Sequence, residues 1–364
     1  MSRTALIMAG GTGGHIFPGL AVAQALRERG WRVHWLGGRG SAAQPSMESQ
    51  LVPAQGFAFE AIDFGGLRGK GVRTAVLLPL RLLRAFWQSI SVLRRVKPDV
   101  VVGLGGYITF PAGMMSVLLG KPLVLHEQNS VAGLANKVLS RVADQVFTAF
   151  PEVLRGARWV GNPLRAAFLN VPAPEQRFAG RSGALKVLVV GGSLGAKALN
   201  DTVPQALALL PPEQRPLVRH QSGARQIDAL RANYAAAGVT AELTPFIDNT
   251  AQAFADADLI ICRAGASTVT EIAAVGAAAL LVPLPSAVDD HQTANARFLA
   301  DQQAAWLLPQ AQLTPQYLAQ MLQKIERTEL VSKGLKAKKM QKLDATEQIM
   351  AACETLVNQG GKSA

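Results

Sequence analysis

Cysteine, aromatic residues and long apolar runs are all scarce in this chain of 364 residues. Its two cysteines, Cys262 and Cys353, are too few for a disulfide framework and form no metal site without other ligands, which is typical of cytosolic proteins. No run approaches the ~20 apolar residues that a membrane-spanning helix requires. The amino terminus passes from one short apolar run into glycines, so we expect a first strand there and no signal peptide.

Acidic residues are in the minority, 25 against 37 basic ones, which gives a formal net charge of +12. Nucleic-acid binding is nevertheless not expected, because aromatic residues make up only 6% and the basic residues lie beside leucines instead of alternating with stacking side chains. The 49% hydrophobic content excludes a disordered chain, and the length suits two domains of roughly 150–180 residues. A basic, mildly apolar composition of this kind is compatible with binding to a membrane surface.

Three nucleotide-site signatures are also missing. No G-x-x-x-x-G-K-[ST] sequence occurs, which disfavours a P-loop nucleotidase. The turn GGTGGHI at residues 10–16 lacks the third glycine of the dinucleotide fingerprint, and the second strand ends without an acidic residue for an NAD ribose, which disfavours a dehydrogenase. The one Asp-x-Asp candidate, at residues 256–258, is expected to end a helix before a strand and not to bind a metal.

Short apolar runs alternate with helical patterns along the chain, which predicts parallel sheets covered by helices on both faces. Both halves open with a strand, a glycine-rich turn and a helix, at residues 8–15 and 190–197. We therefore predict an α/β fold of two Rossmann-like, doubly wound domains facing a cleft, at residues 1–162 and 163–340. The C-terminal helix, about residues 341–364, packs either on its own domain or back on the first. The predicted strands lie at residues 5–8, 33–36, 100–104, 123–125, 146–149, 187–190, 217–220, 241–243, 259–262, 279–282 and 306–308.

Four glycine-containing loops follow predicted strands, at residues 10–14, 103–106, 191–195 and 264–268. A single such loop is often only a turn that needs positive φ. Several of them at the carboxyl ends of parallel strands, each before a helix, favour phosphate binding by main-chain N–H groups and the helix dipole.

The segment CRAGASTVTE at residues 262–271 is more specific, because it places hydroxyl side chains at a helix start. Glu271 is positioned to hold the two hydroxyls of a ribose; the alternative is a first-turn acid that complements the helix dipole. The polar run DDHQTAN at residues 289–295 suits sugar hydroxyls, and its alternative is a helix start capped by Asp289 or Asp290.

Together these residues resemble the MurG family of peptidoglycan glycosyltransferases over nearly the whole chain. Thr109 and Phe110 stand where the family usually has Ser-Gly, and Leu194 replaces a usual glutamine. We expect Phe110 to narrow the acceptor loop, whereas neither change touches the donor motif. The matching stretches are GGTGGHIFPG at residues 10–19, GGLRGK at 65–70, GGY at 105–107, LHEQN at 125–129, GNP at 161–163, GGS at 191–193, FID at 246–248 and RAGASTVTE at 263–271.

The resemblance implies the GT-B glycosyltransferase fold and an inverting transfer of N-acetylglucosamine from UDP-N-acetylglucosamine to the 4-hydroxyl of undecaprenyl-pyrophosphoryl N-acetylmuramyl-pentapeptide, converting lipid I to lipid II. It implies that Ile247 meets uracil through its main chain, that Glu271 holds the ribose, and that Asn129 and Gln292 contact the sugar. The residues implied around the donor are Thr12, Gly13, Gly14, Asn129, Arg165, Ser193, Ile247, Ala266, Ser267, Thr268, Val269, Thr270, Glu271 and Gln292. Those implied to face the acceptor's pyrophosphate are Gly105, Gly106 and Tyr107.

Inversion requires in-line attack by the acceptor hydroxyl, and hence a base and stabilisation of the departing UDP. His15 is the candidate catalytic base, because it follows the first glycine loop at a helix N-terminus, whose dipole favours the neutral imidazole. The alternative is that His15 only orients the loop or binds the acceptor, and Glu127 is the second candidate base. We expect helix N-termini and Arg165 to stabilise the diphosphate, with no metal and no cofactor.

Residues 68–97 contain basic side chains and no acidic ones, and their apolar side chains fill a helical arc of about 160°, wider than the ~100° stripe of a surface helix. This pattern predicts a face that lies on anionic lipid, although part of the stripe must be core. The resemblance likewise implies a peripheral location at the cytoplasmic face of the cell inner membrane, with candidate partners in the cell-wall and division machinery. The apolar residues are Val76, Leu80, Leu82, Leu83, Phe86, Trp87, Ile90 and Leu93, flanked by Arg73, Arg81, Arg84 and Arg95.

Two other functions compete with the transferase. A UDP-N-acetylglucosamine 2-epimerase would share the fold and the nucleotide site but would need acid and base groups at C2 and no lipid acceptor; the basic apolar segment argues against it. A non-catalytic nucleic-acid binder would explain the net charge, but the sparse aromatic residues argue against it.

Overall fold

A computed structural model describes residues 3–40, 45–65 and 77–360. The chain divides into two compact units, one formed by the described residues up to Arg165 together with those from Leu343 onward, and one by Ala166–Lys342. The sequence placed the boundary near residues 161–163, a few residues earlier.

The first unit contains a sheet whose seven described strands are all parallel, in the order β3-β2-β1-β4-β5-β6-β7. All five strands predicted for this half are present. The sequence missed β3, whose side chains are mostly half-buried and include Glu60 paired with Arg95, and β7, whose two residues are exposed. The strands are β1 (Thr4–Met8), β2 (Arg32–Gly38), β3 (Ala58–Ile62), β4 (Val100–Gly103), β5 (Leu123–Glu127), β6 (Gln145–Thr148) and β7 (Arg158–Trp159).

Helices cover both faces of this sheet, and the last helix of the chain is one of them. Ile349 and Cys353 of that helix are fully buried in the same core cluster as Leu26 and Trp35. The C-terminal helix therefore packs back on the first unit, the second of the two packings that the sequence left open. The described helices of this unit are α1 (Gly13–Glu28), α2 (Met47–Ala54), α3 (Leu78–Val96), α4 (Thr109–Leu118), α5 (Leu134–Leu139) and, at the carboxyl end, α15 (Ala345–Gly360).

The second unit contains a parallel sheet in the order β10-β9-β8-β11-β12-β13, and all six strands predicted for this half are present. The strands are β8 (Lys186–Val190), β9 (Leu217–Gln221), β10 (Glu242–Thr244), β11 (Leu259–Cys262), β12 (Ala279–Leu281) and β13 (Trp306–Leu307). The helices are α6 (Ala166–Leu169), α7 (Pro174–Phe178), α8 (Lys197–Ala208), α9 (Ile227–Ala237), α10 (Thr250–Asp256), α11 (Ala266–Val275), α12 (His291–Ala300), α13 (Pro315–Lys324) and α14 (Arg327–Lys339).

The two sheets share one winding pattern, in which the strand order reverses between the first strand and the fourth. Ligands of open α/β sheets bind at this reversal, beyond the carboxyl ends of the strands. In the first unit the glycine loops follow β1 and β4, and in the second they follow β8 and β11, so each pair flanks a reversal. The predicted class of two Rossmann-like, doubly wound domains is confirmed.

The Asp-x-Asp candidate is structural. Asp256 ends α10 as predicted, and the buried Asp258 carboxylate pairs with Arg181 at 2.9 Å and Arg327 at 2.8 Å while accepting the Lys186 main-chain N–H. Within residues 3–40, 45–65 and 77–360, no group of three His, Cys, Asp or Glu side chains is arranged to hold a metal ion.

Candidate functional site

The two glycine loops of the first unit touch through their main chains. Gly11 and Gly106 have φ of +96° and +93°, and a Cβ on Gly106 would lie 2.4 Å from the carbonyl oxygen of Gly10. Only glycine fits this crossing, since both the left-handed backbone and the contact exclude a side chain. Gly105, Gly106 and Tyr107 are thereby held against the loop that carries Thr12, Gly13 and Gly14.

A buried carboxylate, which the sequence analysis missed, fixes the same loops. Glu48 is fully buried, and its two oxygens accept the main-chain N–H groups of Gly38 at 3.1 Å and Gly11 at 3.4 Å. Burial, together with the Glu48 charge, raises the pKa of the neighbouring Tyr107, so this phenol stays protonated. The one sequence signal for Glu48 was its place in the first turn of α2, where an acid is usually an exposed partner of the helix dipole.

His15 stands third in α1 and is connected to the core by side chains at the carboxyl end of β5. Its Nδ1 lies 2.6 Å from Oε1 of Gln128, whose Nε2 lies 2.9 Å from Nδ1 of His126; Nε2 of His126 lies 2.8 Å from the Gly161 carbonyl oxygen. Burial lowers the pKa of His126 to about 4, so this imidazole is neutral near pH 7. Gln128 was not predicted from the sequence as a residue of the site.

Glu127, the second candidate base, holds its own loop through hydrogen bonds to its carboxylate. Its buried carboxylate accepts the main-chain N–H groups of Asn129 at 2.9 Å and Gly133 at 3.2 Å, and the side-chain amide of Asn136 at 2.8 Å. A carboxylate with these donors is poorly placed to take a substrate proton, which favours His15 as the base. The same bonds fix the half-buried Asn129 at the carboxyl end of β5.

Arg165, the last residue of the first unit before the chain enters the second, is half-buried. Its guanidinium lies 5.6 Å from the centre of the Phe17 ring, in cation–π contact. A Cβ on Gly13 would lie 3.0 Å from that same ring. The structure thus brings Arg165 to the glycine loop after β1 through Phe17.

In the second unit, Gln221 holds the loop after β8. Its amide accepts the Gly192 N–H at 3.1 Å and donates to the carbonyl oxygens of Gly192 and Pro245 at 3.0 Å each. Ser193 is exposed at the tip of this loop, as a ligand-facing hydroxyl requires. Gln221 was not predicted, because its role depends on a strand neighbour and not on a local motif.

Helix α11 begins at Ala266. The main-chain N–H groups of its first turn have no hydrogen-bond acceptor within the helix. The Ser267 hydroxyl is buried there and has no hydrogen-bond partner in the part of the chain that the structure describes. The Thr270 hydroxyl, in contrast, donates to the carbonyl oxygens of Ala266 and Ser267. Thr268 and Val269 complete the predicted set on this helix.

Glu271 is the sixth residue of α11, and the first turn of that helix contains no acid. A first-turn position for Glu271 assumed a helix that starts later than Ala266, and this position was wrong. The alternative role of Glu271 as a first-turn partner of the helix dipole is therefore also wrong, because the dipole effect falls off within the first turn.

The remaining predicted residues lie in the same unit, Ile247 between β10 and α10 and Gln292 at the start of α12. The Ile247 side chain is buried, and its carbonyl oxygen accepts the Thr250 hydroxyl at 3.3 Å. Gln292 accepts the Leu284 N–H at 3.0 Å, which joins the start of α12 to the loop after β12. Asp290 occupies the N-cap position of α12 in a left-handed conformation, but its side chain caps no main-chain N–H group, so a simple capping role for it is wrong.

Helix α3 carries the predicted lipid-facing surface. Leu80, Leu83 and Trp87 are 65%, 64% and 75% exposed, whereas Val92 and Leu93 on the opposite face are buried. Arg81 and Arg84 are exposed beside the leucines. Arg73 and Val76 of the predicted stripe, and most of the motif at residues 65–70, lie outside the described residues. No helix of residues 3–40, 45–65 and 77–360 is long and apolar enough to span a bilayer.

Two family models match the chain, the glycosyltransferase family 28 N-terminal domain at residues 5–148 and the glycosyltransferase family 28 C-terminal domain at residues 186–349. A protein of Albidiferax ferrireducens named UDP-N-acetylglucosamine–N-acetylmuramyl-(pentapeptide) pyrophosphoryl-undecaprenol N-acetylglucosamine transferase is 77% identical, over 97% of this chain and 91% of that protein. A protein of the same name from Polaromonas naphthalenivorans is 75% identical, over 97% of this chain and 98% of that protein.

Solved structures give the same result. The crystal structure of Acinetobacter baumannii MurG is 40% identical in sequence with a TM-score of 0.83, and the match covers 97% of this chain and 99% of that one. The glycosyltransferase of kitacinnamycin matches with a TM-score of 0.67 at 15% identity, over 96% of this chain and 99% of that one, which is a likeness of fold alone.

The crossing of the two glycine loops gives a direct test of the site's architecture. We expect Gly106→Ala to lower the free energy of unfolding by about 1–3 kcal/mol more than Gly120→Ala, measured by urea denaturation. Gly120 is the matched control because it also has positive φ, +64°, but a Cβ there meets nothing within 4 Å. Equal losses in the two variants would contradict a close main-chain contact at Gly106.

Proposed function

The chain belongs to glycosyltransferase family 28, and we infer that it is a UDP-N-acetylglucosamine-dependent hexosyltransferase of peptidoglycan synthesis. It transfers N-acetylglucosamine to lipid-linked N-acetylmuramyl-pentapeptide, converting lipid I to lipid II. The observation that carries this conclusion is the 77% identity to a transferase of that name over 97% of the chain. The glycine loops at the strand-order reversals of both sheets supply the phosphate-binding chemistry that such substrates need.

We propose that the second unit binds the donor. The N–H groups at the start of α11 and the Ser193 loop hold the diphosphate, and the buried Ser267 hydroxyl gains the partner that it lacks among the described residues. Glu271 takes the ribose hydroxyls, the main chain of Ile247 pairs with uracil, and Gln292 contacts the sugar. Asn129, Arg165 and the Thr12–Gly13–Gly14 turn, which belong to the first unit, are also proposed to contact the donor.

The first unit supplies the acceptor site in this proposal. Gly105, Gly106 and Tyr107 face the acceptor's pyrophosphate, and the protonated Tyr107 phenol serves as a hydrogen-bond donor there. His15 removes the proton of the attacking 4-hydroxyl as that oxygen bonds to C1 of N-acetylglucosamine and the bond from C1 to UDP breaks. The helix N-termini and the Arg165 guanidinium stabilise the negative charge that develops on UDP.

The exposed surface formed by Leu80, Leu83 and Trp87 of α3, with Arg81 and Arg84, is proposed to lie on the membrane that contains the acceptor. Apolar side chains enter the boundary between headgroups and acyl chains while the guanidinium groups meet anionic headgroups. We place the enzyme peripherally at the cytoplasmic face of the inner membrane, where UDP-linked sugars are available and where cell-wall and division proteins are its candidate partners.

A UDP-release assay tests the function against its rivals. We expect UDP to form from UDP-N-acetylglucosamine only when lipid I is present, and full activity to persist in excess chelator because helix N-termini and Arg165 provide the positive charge. An epimerase would convert the donor without lipid I, and a nucleic-acid binder would release nothing. Loss of activity in chelator that magnesium restores would contradict the metal-free mechanism.

Replacement of the proposed base should act on turnover. We expect His15→Ala to lower kcat by about 10²-fold or more, the scale of general base catalysis, with the KM for UDP-N-acetylglucosamine little changed. Steady-state kinetics with saturating lipid I provide the measurement. A kcat within a few-fold of wild type, with only a raised KM for lipid I, would assign His15 to acceptor binding instead.

Vesicle binding tests the α3 surface. We expect the double variant Leu80→Ser and Leu83→Ser to bind anionic vesicles about 10-fold more weakly or worse, because each leucine loses apolar contact with lipid. Leu209→Ser is the control, since Leu209 is a half-exposed leucine of the second unit. Binding should also weaken strongly with salt. Equal binding to neutral vesicles, or no loss in the double variant, would contradict this surface.

A further inference from the structure

The hydrogen-bond chain behind His15 ends on main-chain carbonyl oxygens, which can only accept. Nε2 of His126 lies 2.8 Å from the Gly161 carbonyl oxygen, so Nε2 must carry the proton of this neutral imidazole. Its other nitrogen, Nδ1, is therefore an acceptor. This assignment agrees with the full burial of His126, which lowers its pKa to about 4.

The orientation of the Gln128 side-chain amide also follows from its hydrogen-bond partners. The atom of its side-chain amide nearest His126 lies 3.0 Å from the His126 carbonyl oxygen and 2.9 Å from Nδ1 of His126, and both of these atoms accept. Only the NH₂ group satisfies them, so the Gln128 carbonyl oxygen must face His15. That oxygen lies 2.6 Å from Nδ1 of His15 and requires a proton there.

We propose that Gln128 is a positioning residue that keeps neutral His15 in the tautomer with the proton on Nδ1, which leaves the lone pair on Nε2 for the acceptor hydroxyl. Gln128 is itself fully buried, so its amide is held by the protein and not by water. Gly105 packs against the same Nδ1 edge of the ring, because a Cβ there would lie 2.8 Å from Nδ1 of His15 and 3.2 Å from Oε1 of Gln128. The two contacts fix which imidazole nitrogen faces the core and which remains for chemistry.

The transfer of the hydroxyl proton to His15 needs no further reactant. Its role in catalysis rests on the proposed function. The hydroxyl proton moves to Nε2 as the oxygen bonds to C1 and UDP departs with the bonding electron pair. The resulting imidazolium keeps its Nδ1–H bond to the neutral Gln128 oxygen. In serine hydrolases a carboxylate orients the imidazole in the same way, and an incorrect tautomer there costs several orders of magnitude in rate.

The test compares wild type with Gln128→Leu, which removes the acceptor for Nδ1 of His15. In ¹⁵N-histidine-labelled protein, with the His15 signals assigned from the His15→Ala spectrum, we expect wild type to show a proton on Nδ1 and a bare Nε2. Gln128→Leu should show mixed tautomers. An unchanged His15 pattern in Gln128→Leu, or a proton on Nε2 in wild type, would overturn the proposal.

Kinetics supply the second readout. We expect Gln128→Leu to lower kcat roughly 10- to 100-fold, as loss of a histidine-orienting partner does elsewhere, with the KM for UDP-N-acetylglucosamine within about twofold. Mixed tautomers without loss of kcat would overturn the positioning role. Absence of lipid I-dependent UDP release in wild type would instead contradict the proposed function, while the spectra would still decide the tautomer.

Discussion

Main-chain contact between loops is the constraint on which the candidate site residues of each unit depend. In the first unit Gly106 lies against Gly10, and in the second a Cβ on Gly223 would lie 2.6 Å from the Gly195 nitrogen. Contacts this close bring loops from different strands together with no side chain between them. Main-chain N–H groups and helix N-termini then lie along these loops, which is the chemistry that the proposed phosphate binding requires.

Buried polar side chains behind the loops hold these contacts in place. Glu48 and Glu127 each accept several N–H groups, and Gln221 both donates and accepts across its loop. A hydrogen bond to a charged group contributes roughly 1.5–3 kcal/mol, and a buried donor left without one costs a similar amount. Other conformations of these loops would leave buried N–H groups without acceptors, and this cost holds the loops in place.

The sequence predicted the fold well because strands buried on both faces form short apolar runs, and the helix that follows each glycine turn is equally apparent. It missed β3 and β7, which are half-buried or exposed and carry no such run. Motifs placed the candidate residues on their loops, but Glu48, Gln128 and Gln221 escaped notice because their partners are distant in sequence. The helical position of Glu271 was wrong because the capping residue of α11 is a glycine without a side-chain signal.

The return of α15 to the first unit has a consequence for synthesis of the protein on the ribosome. The core around Leu26 and Trp35 includes Ile349 and Cys353, which are translated only after the whole second unit, residues 166–342. Because translation proceeds at roughly 5–20 residues per second, the core surface that α15 covers stays exposed for on the order of ten seconds or more after the nascent first unit is made. The second unit, whose residues are contiguous, can complete its own core first, so the half of the chain that emerges earlier is the one that matures last.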